Sequence, residues 1–194
     1  AKRLNVSVKT MPGLFELIDG KFNVGMIREV SVEELWARDS IQLDYGGISD
    51  YLENQVVMVT GGGGSIGSEL CRQIAKFQPK QLIIVDIYEN NAYDLQNELI
   101  RQYPQLNLVT LIASVRERDR LKEIYETYYP DVVFHAAAHK HVPLMEASPA
   151  EAIKNNVVGT LHTAELASEY GVKRFVLIST DNAVNPTNVM GATK

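Results

Sequence analysis

The stretch Val57-Met58-Val59-Thr60-Gly61-Gly62-Gly63-Gly64-Ser65-Ile66-Gly67 decides the fold that we predict for this chain of 194 residues. A short apolar run ends at Thr60, and an amphipathic segment follows the glycines. Gly61, Gly64 and Gly67 recur at every third position, a pattern that is specific when it lies between a strand and a helix. The stretch therefore predicts the first strand, the phosphate-binding loop and the first helix of a Rossmann-type sheet.

Each spaced glycine has a physical role in such a loop. Gly61 permits the tight turn, Gly64 lets the backbone approach a diphosphate, and Gly67 lets the helix pack close to the strand. Ser65 and Ile66 open the helix, where free N–H groups and the positive end of the helix dipole bind an anion without a basic side chain. A plain surface turn is the alternative, but it would not need four glycines, which cost conformational entropy.

Short apolar runs alternate with longer amphipathic segments from Val56 onward. Near-continuous runs of Val, Ile and Leu predict strands that are covered on both faces, and the segments between them are long enough for crossover helices. Right-handed crossovers favour a doubly wound parallel α/β sheet with strand order 3-2-1-4-5. The predicted strands are Val56–Thr60, Leu82–Asp86, Leu108–Ile112, Val132–His135 and Phe175–Ser179, and the predicted helices are Ile66–Phe77, Ala92–Tyr103, Arg118–Tyr128 and Ala150–Tyr170.

Asp86 ends the second predicted strand, where a carboxylate can accept hydrogen bonds from both hydroxyls of an adenosine ribose. A 2′-phosphate would meet its negative charge, and no Arg follows within residues 87–90 to compensate. The sequence therefore predicts NAD rather than NADP as the cofactor, with a simple strand-end cap as the alternative. We expect further cofactor contacts where the third and fourth strands end, at Ser114, Val115, Ala136, Ala137 and Ala138.

Two segments are predicted along the chain. Residues 1–53 lack the strand and helix alternation, and we interpret them as a connecting arm that Trp36 anchors. Residues 54–194 form the NAD-binding Rossmann domain, which we expect to stop in the first turns of its sixth helix, before a substrate lobe.

Composition narrows the class of partner. A formal net charge of −5 argues against a nucleic-acid surface, so a small molecule is the expected partner. Cys71 is the only cysteine, which excludes an internal disulfide and fits a reducing, cytoplasmic setting. His135, His139 and His141 suggest a metal site, but no Cys or carboxylate cluster completes a ligand set, so we predict no metal.

The motifs together resemble the extended short-chain dehydrogenase/reductase superfamily, and within it the UDP-N-acetylglucosamine 4,6-dehydratases of capsular-polysaccharide synthesis. The resemblance covers about residues 25–194, and residues 135–146, 155–160 and 179–194 carry its most specific parts. It implies that Lys140 and His141 belong to the wall that meets a UDP-sugar. It also implies a homo-oligomer, and a full-length protein anchored at the cytoplasmic face of a membrane.

The resemblance assigns catalysis to the segment after the fifth strand. Thr180 and Lys194 match the superfamily pattern, but Met190 occupies the position of the usual tyrosine, and a thioether has no proton to exchange. The dehydratase branch with Met at this position uses an Asp-Lys pair instead. Asp181 matches, whereas Asn182 stands where that branch has Lys. We therefore expect this exact sequence to be impaired in turnover.

The implied reaction is an internal redox sequence on the sugar. Hydride leaves carbon 4 for NAD⁺, the ketone acidifies carbon 5, water is lost from carbons 5 and 6, and the hydride returns to carbon 6. Thr180 would bind the oxygen at carbon 4, Asp181 would act as acid or base, and Lys194 would orient the nicotinamide ribose. Met190 implies retention of configuration at carbon 5. A UDP-sugar 4-epimerase and a non-catalytic NAD-binding module are the alternatives.

Overall fold

The computed structural model describes residues 9–10, 28–29, 47 and 51–194 of the chain. Lys9–Thr10 and Arg28–Glu29 pair as a two-residue antiparallel ladder. The chain divides into two compact units, Ala1–Asp44 and Tyr45–Lys194. The anchor residue Trp36 lies outside the described residues, as does most of the arm predicted at residues 1–53, so that division stays a prediction.

A five-stranded parallel sheet forms the centre of the second unit, and its order β3-β2-β1-β4-β5 confirms the predicted Rossmann-type topology. Apolar, largely β-branched runs form the three central strands, which are buried on both faces, whereas the two edge strands β3 and β5 are partly exposed. The neighbouring ends of β1 and β4 pair Thr60 with His135, which brings the glycine loop beside the segment after β4. The strands are β1 Val56–Thr60, β2 Gln81–Asp86, β3 Leu108–Ile112, β4 Val132–His135 and β5 Arg174–Leu177.

Helices connect the strands, as the amphipathic segments predicted. The short helix at Val142–Ala147, the π-helical turn and the 3₁₀ turn were not predicted. No helix in the part of the chain that the structure describes is both long and apolar enough to cross a membrane. The elements are α1 Ser65–Lys76, α2 Glu89–Gln102, α3 Arg118–Tyr128, α4 Val142–Ala147, α5 Pro149–Ala152, a π-helical turn Ile153–Val158, α6 Gly159–Glu169, a 3₁₀ turn Asp181–Ala183 and α7 Val189–Ala192.

Five of the nine predicted elements differ from the observed ones. Three of them, β2, α1 and α2, differ only by one to three residues at their ends. The segment predicted as one helix at Ala150–Tyr170 is helical from Pro149 to Glu169, but a π-helical turn in its middle separates α5 from α6. The fifth strand was predicted to reach Ser179 but ends at Leu177, which pairs with His135, the last residue of β4. The next N–H, that of Ile178, makes the last bond to β4, to the carbonyl of His135 at 3.0 Å.

The core lies on both faces of the sheet, because alternate strand side chains point in opposite directions. Val57 and Val59 of β1 pack with residues of α1 and α2, whereas Met58 packs with residues of α3 and α6. Tyr125 is fully buried on the second face, and its hydroxyl donates to the carbonyl of Thr163 at 3.0 Å. The strand ends are thus held rigidly, and their carboxyl ends share one edge of the sheet.

Candidate functional site

The glycine loop is a tight turn fastened to β2. Gly61 has a φ of +68°, which side-chain-bearing residues rarely adopt. Its N–H and that of Gly62 donate to the carbonyl of Val85, at 2.8 and 3.3 Å. A Cβ atom at Gly61 would lie 2.6 Å from the backbone of Ala137. Glycine is therefore required here both by conformation and by the close approach of the segment after β4.

The next two spaced glycines differ in their surroundings. A Cβ at Gly67 would overlap the carbonyl oxygen of Gly61, so α1 packs directly on the loop at that position. A Cβ at Gly64 would meet only the same carbonyl, at 3.2 Å, and the residue borders a cleft. Ser65 and Ile66 follow as the first residues of α1, and Ile66 is exposed. The start of α1 therefore faces open space that an anion can enter.

Asp86 joins the glycine loop to the start of α2. One carboxylate oxygen accepts the N–H of Gly63 at 2.8 Å, and the other accepts the N–H of Tyr88 at 2.8 Å. The residue is buried at the end of β2. Each oxygen keeps a second lone pair, so the carboxylate can still accept hydrogen bonds from a ligand.

A cleft of about 330 Å³ runs along the carboxyl edge of the sheet. It brings together predicted residues from four strand ends, and the sequence reasoning missed Tyr88, Asn91 and Asn155 among its walls. Tyr88 and Asn91 could have been found, because they follow Asp86 at the start of α2. The cleft is lined by Gly61, Gly64, Val85, Asp86, Ile87, Tyr88, Asn91, Ala113, Ser114, Val115, Ala136, Ala137, Ala138, His139, Lys140, His141 and Asn155.

Lys140 reaches across this cleft. Its Nζ donates to the hydroxyl of Ser65 at 3.1 Å, so the ammonium lies beside the first residue of α1. His141, the other residue predicted to meet a sugar nucleotide, is exposed at the start of α4. Both residues line the cleft.

Asn156 fastens two segments that border the site. Its Oδ1 accepts the N–H of His139 at 2.8 Å, while its Nδ2 donates to the carbonyl of His139 at 3.0 Å and to Oγ1 of Thr193 at 3.1 Å. The side chain is buried and lies in the π-helical turn, a local geometry that is frequent at functional sites. It thereby ties the segment after β4 to the end of α7.

His135 is a buried structural bridge between three elements. Its Nδ1 lies 2.6 Å from Oγ1 of Thr60 in β1, and its Nε2 lies 2.9 Å from Oγ1 of Thr160 in α6. Burial lowers the pKa of His135 to about 4, with a smaller contribution from the positive charge of Lys194. Residues 51–194 contain no group of three or more His, Cys, Asp or Glu side chains arranged to hold a metal ion.

The predicted catalytic residues after β5 lie outside the cleft walls. The Thr180 hydroxyl donates to Oδ1 of Asp181 at 3.0 Å, and the same oxygen accepts the N–H of Asn182 at 3.0 Å. Asp181 and Asn182 are both exposed in the 3₁₀ turn. The Asn182 side-chain amide points back to Oγ1 of Thr180 at 3.5 Å. The three side chains are therefore linked by hydrogen bonds to one another, and Asp181 and Asn182 are accessible to solvent.

Helix α7 positions Met190 and Lys194 beside that turn. A Cβ at Gly191 would collide with the Asn182 carbonyl, so the helix lies directly on the turn. Met190 is 5% exposed and packs in an apolar cluster with Met145 of α4, so its side chain fills the core rather than facing the site. The Lys194 ammonium donates to the carbonyl of Ile178 at 2.7 Å, and partial burial lowers its pKa.

Comparison with known proteins assigns the chain to a family. The family described as "Polysaccharide biosynthesis protein" matches residues 57–194. The chain belongs to this family. It is 47% identical over 190 residues to "Capsular polysaccharide biosynthesis protein CapD" of Staphylococcus aureus, a match that covers 97% of the chain and 32% of that relative. The chain thus spans about a third of the length of this relative.

Two further similar proteins have named activities. A "UDP-N-acetylglucosamine 4,6-dehydratase (inverting)" of Campylobacter jejuni is 34% identical, with 71% of the chain and 40% of that relative covered. The crystal structure of a UDP-glucose 4-epimerase from Stenotrophomonas maltophila, with bound NAD and formylated UDP-arabinopyranose, superposes with a TM-score of 0.65 at 25% identity. That match covers 72% of the chain and 45% of the epimerase. The resemblance to nucleotide-sugar dehydratases and epimerases is thereby confirmed.

Proposed function

We propose that the chain binds NAD in the cleft and is the nucleotide-binding part of a nucleotide-sugar 4,6-dehydratase of the UDP-N-acetylglucosamine type, serving polysaccharide synthesis. The observation that carries the proposal is the hydrogen bond from Gly63 to the carboxylate of Asp86. It supports the proposal because it joins the loop before α1, whose free N–H groups can bind an anion, to a carboxylate that can accept hydrogen bonds from a ribose. The open space at Gly64 fits a diphosphate that the backbone approaches closely.

The dinucleotide would be held by residues of four strand ends. The diphosphate would meet the loop at Gly64 and the start of α1, and Asp86 would bind the adenosine ribose. The resemblance assigned Lys140 to the wall that meets a UDP-sugar. Because Lys140 is hydrogen-bonded to Ser65 at the start of α1, we propose that its ammonium meets the diphosphate of the dinucleotide instead. We assign His141, at the exposed start of α4, to the wall that meets the sugar nucleotide.

Bound NAD would supply reversible hydride transfer to and from the sugar. In the mechanism that we propose, Thr180 hydrogen-bonds the oxygen at sugar carbon 4, and Asp181 moves a proton during the loss of water. Lys194 would leave the Ile178 carbonyl and bind the nicotinamide ribose. Met190 offers no proton, so the acid and base steps fall to Asp181. Because the resemblance at Met190 implies it, we also propose that the configuration at carbon 5 is retained. NMR of the product would determine that configuration.

The cofactor half of the proposal is tested by titration calorimetry on the purified chain. We expect NAD⁺ to bind at least about tenfold more tightly than NADP⁺, because a 2′-phosphate would lie against the Asp86 carboxylate. Asp86→Asn should reduce the preference for NAD⁺ over NADP⁺, because the amide keeps one acceptor oxygen but carries no negative charge. Asp119→Asn, at an exposed carboxylate in α3, is the control for the change in net charge. Equal affinities of the original chain for both dinucleotides would refute the assignment of Asp86.

A test of the proposed reaction requires a polypeptide that also contains the segments present in the longer relatives. Such a protein is incubated with NAD⁺ and UDP-N-acetylglucosamine, and the product is identified by NMR. A 4-keto-6-deoxy sugar supports the dehydratase. An isomeric UDP-sugar would show an epimerase instead, and unchanged substrate would indicate a binding module.

A further inference from the structure

The strand β3 has a free edge. Among the described strands it neighbours β2 alone, at one end of the sheet. The carbonyl of Asn107 and the N–H of Ala113 bond to β2, so every second residue between them also faces β2. Leu108, Thr110 and Ile112 therefore direct their backbone N–H and C=O groups outward, and these groups have no partner in the described part of the chain.

This edge lacks the features that usually prevent a free strand from pairing. Natural sheets protect their edges with charged side chains, proline, bulges or covering segments. The sequence of β3 is Leu-Val-Thr-Leu-Ile, without charge or proline. Ile112 is 48% exposed, and the hydroxyl oxygen of Thr110 is buried without a hydrogen-bond partner among residues 51–194. A strand of this kind is expected to pair with another strand.

Helix α2 adds an apolar surface beside the free edge. Its buried residues face the sheet, and Glu98 faces α1, where it pairs with Arg72. Tyr93 and Ile100 lie two turns apart on the flank that points away from α1, beside the edge of β3. Their side chains are 61% and 48% exposed. Strand and helix thus present uncharged groups on the same side of the molecule.

The two elements are self-complementary about a two-fold axis that passes Thr110 perpendicular to the sheet. The axis pairs β3 antiparallel with β3 of a second copy, places Leu108 opposite Ile112 of that copy, and allows about six backbone hydrogen bonds. It also sets Tyr93 beside Ile100 of the second copy. The midpoint of these two residues lies about 8 Å from the end of α2, and Thr110 lies about 7 Å from the start of β3, so both contacts share one axis.

We propose that the chain forms a two-fold dimer in which the free edges of β3 pair antiparallel and the α2 helices pack beside each other. The second copy satisfies the outward backbone groups, and the two Thr110 hydroxyls lie opposite each other, where a pair of threonines can hydrogen-bond. An unrelated strand would satisfy the backbone but would not bring a matching α2. The contact residues lie outside the cleft walls, so the dimer does not depend on the proposed NAD site.

Sedimentation equilibrium of the purified chain over a range of concentrations measures the association. We expect a dimer, and Ile100→Lys and Ile112→Lys should each raise its dissociation constant at least about tenfold, because each places two ammonium groups in an apolar contact. Leu161→Lys, at a leucine of α6 that is 52% exposed, is the matched control and should leave the constant unchanged. Circular dichroism verifies that each variant is folded.

Disulfide formation tests the register of the paired strands. Directly opposed residues of a hydrogen-bonded antiparallel pair have Cα atoms about 5.5 Å apart, a distance that a disulfide spans. Thr110→Cys should therefore cross-link two copies under mild oxidation. Ile112→Cys is the control, because its two copies would lie about 14 Å apart along the strands. The native cysteine, Cys71, is buried.

Three results would overturn the proposal. A monomer at every concentration would show that the edge does not pair with itself and would leave it to a different partner. Weaker association in Leu161→Lys but not in Ile100→Lys would place the dimer contact on α6. Cross-linking of Ile112→Cys as efficient as that of Thr110→Cys would exclude the antiparallel register.

Discussion

Two glycines with the same backbone conformation allow the function of the loop to be separated from its backbone strain. Gly61 and Gly171 both have a φ of +68°, but a Cβ at Gly171 would meet nothing within 4 Å, whereas at Gly61 it would lie 2.6 Å from the Ala137 backbone. Gly171→Ala should therefore lower the free energy of unfolding only through the backbone conformation, by about 1 kcal/mol. The left-handed region costs an alanine about 1–2 kcal/mol, and the lower conformational entropy of the unfolded variant offsets part of this cost.

Gly61→Ala should carry the same cost and a second one. The contacting atoms are backbone atoms of Ala136 and Ala137, which cannot move aside by changing a rotamer. Forcing an extra methyl group into a filled site costs about 1–3 kcal/mol, so the total should reach about 2–4 kcal/mol. The displaced segment lines the cleft, and NAD⁺ affinity should fall together with stability.

Urea denaturation of both variants measures the free energies of unfolding, and calorimetry below the unfolding transition measures NAD⁺ affinity. The expected result is that Gly61→Ala loses at least about 1 kcal/mol more stability than Gly171→Ala, the lower limit for overpacking, and loses NAD⁺ affinity that Gly171→Ala retains. Equal losses of stability in the two variants would refute the idea that close approach to Ala137, rather than backbone conformation, fixes glycine at position 61.

Two further predictions concern His135 and Asn182. The pKa of His135 is lowered from 6.5 to about 4 in the folded chain, so between these two pH values His135 is protonated mainly in the unfolded chain. The free energy of unfolding should therefore fall by about 3 kcal/mol as the pH drops from 6.5 to 4. His135→Gln should remove this part of the pH dependence. Urea titrations at pH 7 and pH 4.5 measure it, and identical pH slopes in the two proteins would contradict it. Asn182→Lys, in a polypeptide extended as in the longer relatives, should raise the single-turnover dehydration rate by about 100-fold or more at unchanged NAD⁺ affinity, because it restores a group able to move a proton. Equal rates would exclude residue 182 from the mechanism.

Most of the sheet could be predicted because its signals are local. The apolar runs at β1, β3 and β4 are bounded by turn residues, and both faces of the sheet demand apolar side chains, so the strands were found at their observed limits. The strand order followed from the handedness of crossovers. The π-helical turn could not be found in this way, because it is supported by contacts of Asn156 with residues distant in sequence.

The site was predictable only in part, for the same reason. The glycine spacing and the carboxylate of Asp86 are motifs in sequence, and the structure places both in one cleft. The contact of Lys140 with Ser65 joins residues 75 positions apart, and no pattern in the sequence predicts it. Thr60 and Thr160, which contact His135, likewise belong to no recognisable motif. Their contacts depend on the relative positions of β1 and α6 in the fold, which the local sequence does not specify.

The attachment of α7 has a consequence for the local stability of the segment that carries Lys194. This helix has four residues, and its links to the rest of the chain include the bond from Asn156 to Thr193, the capping of the Val189 N–H by Glu146, and the side chain of Met190. The same segment also includes the Lys194–Ile178 hydrogen bond and the packing of Gly191 on Asn182. Because the helix is short, we expect this segment to unfold locally at a lower free energy than the sheet beneath it. Part of the binding energy of a ligand at Lys194 would be used to keep that segment closed, so affinity there would report local order as well as contact.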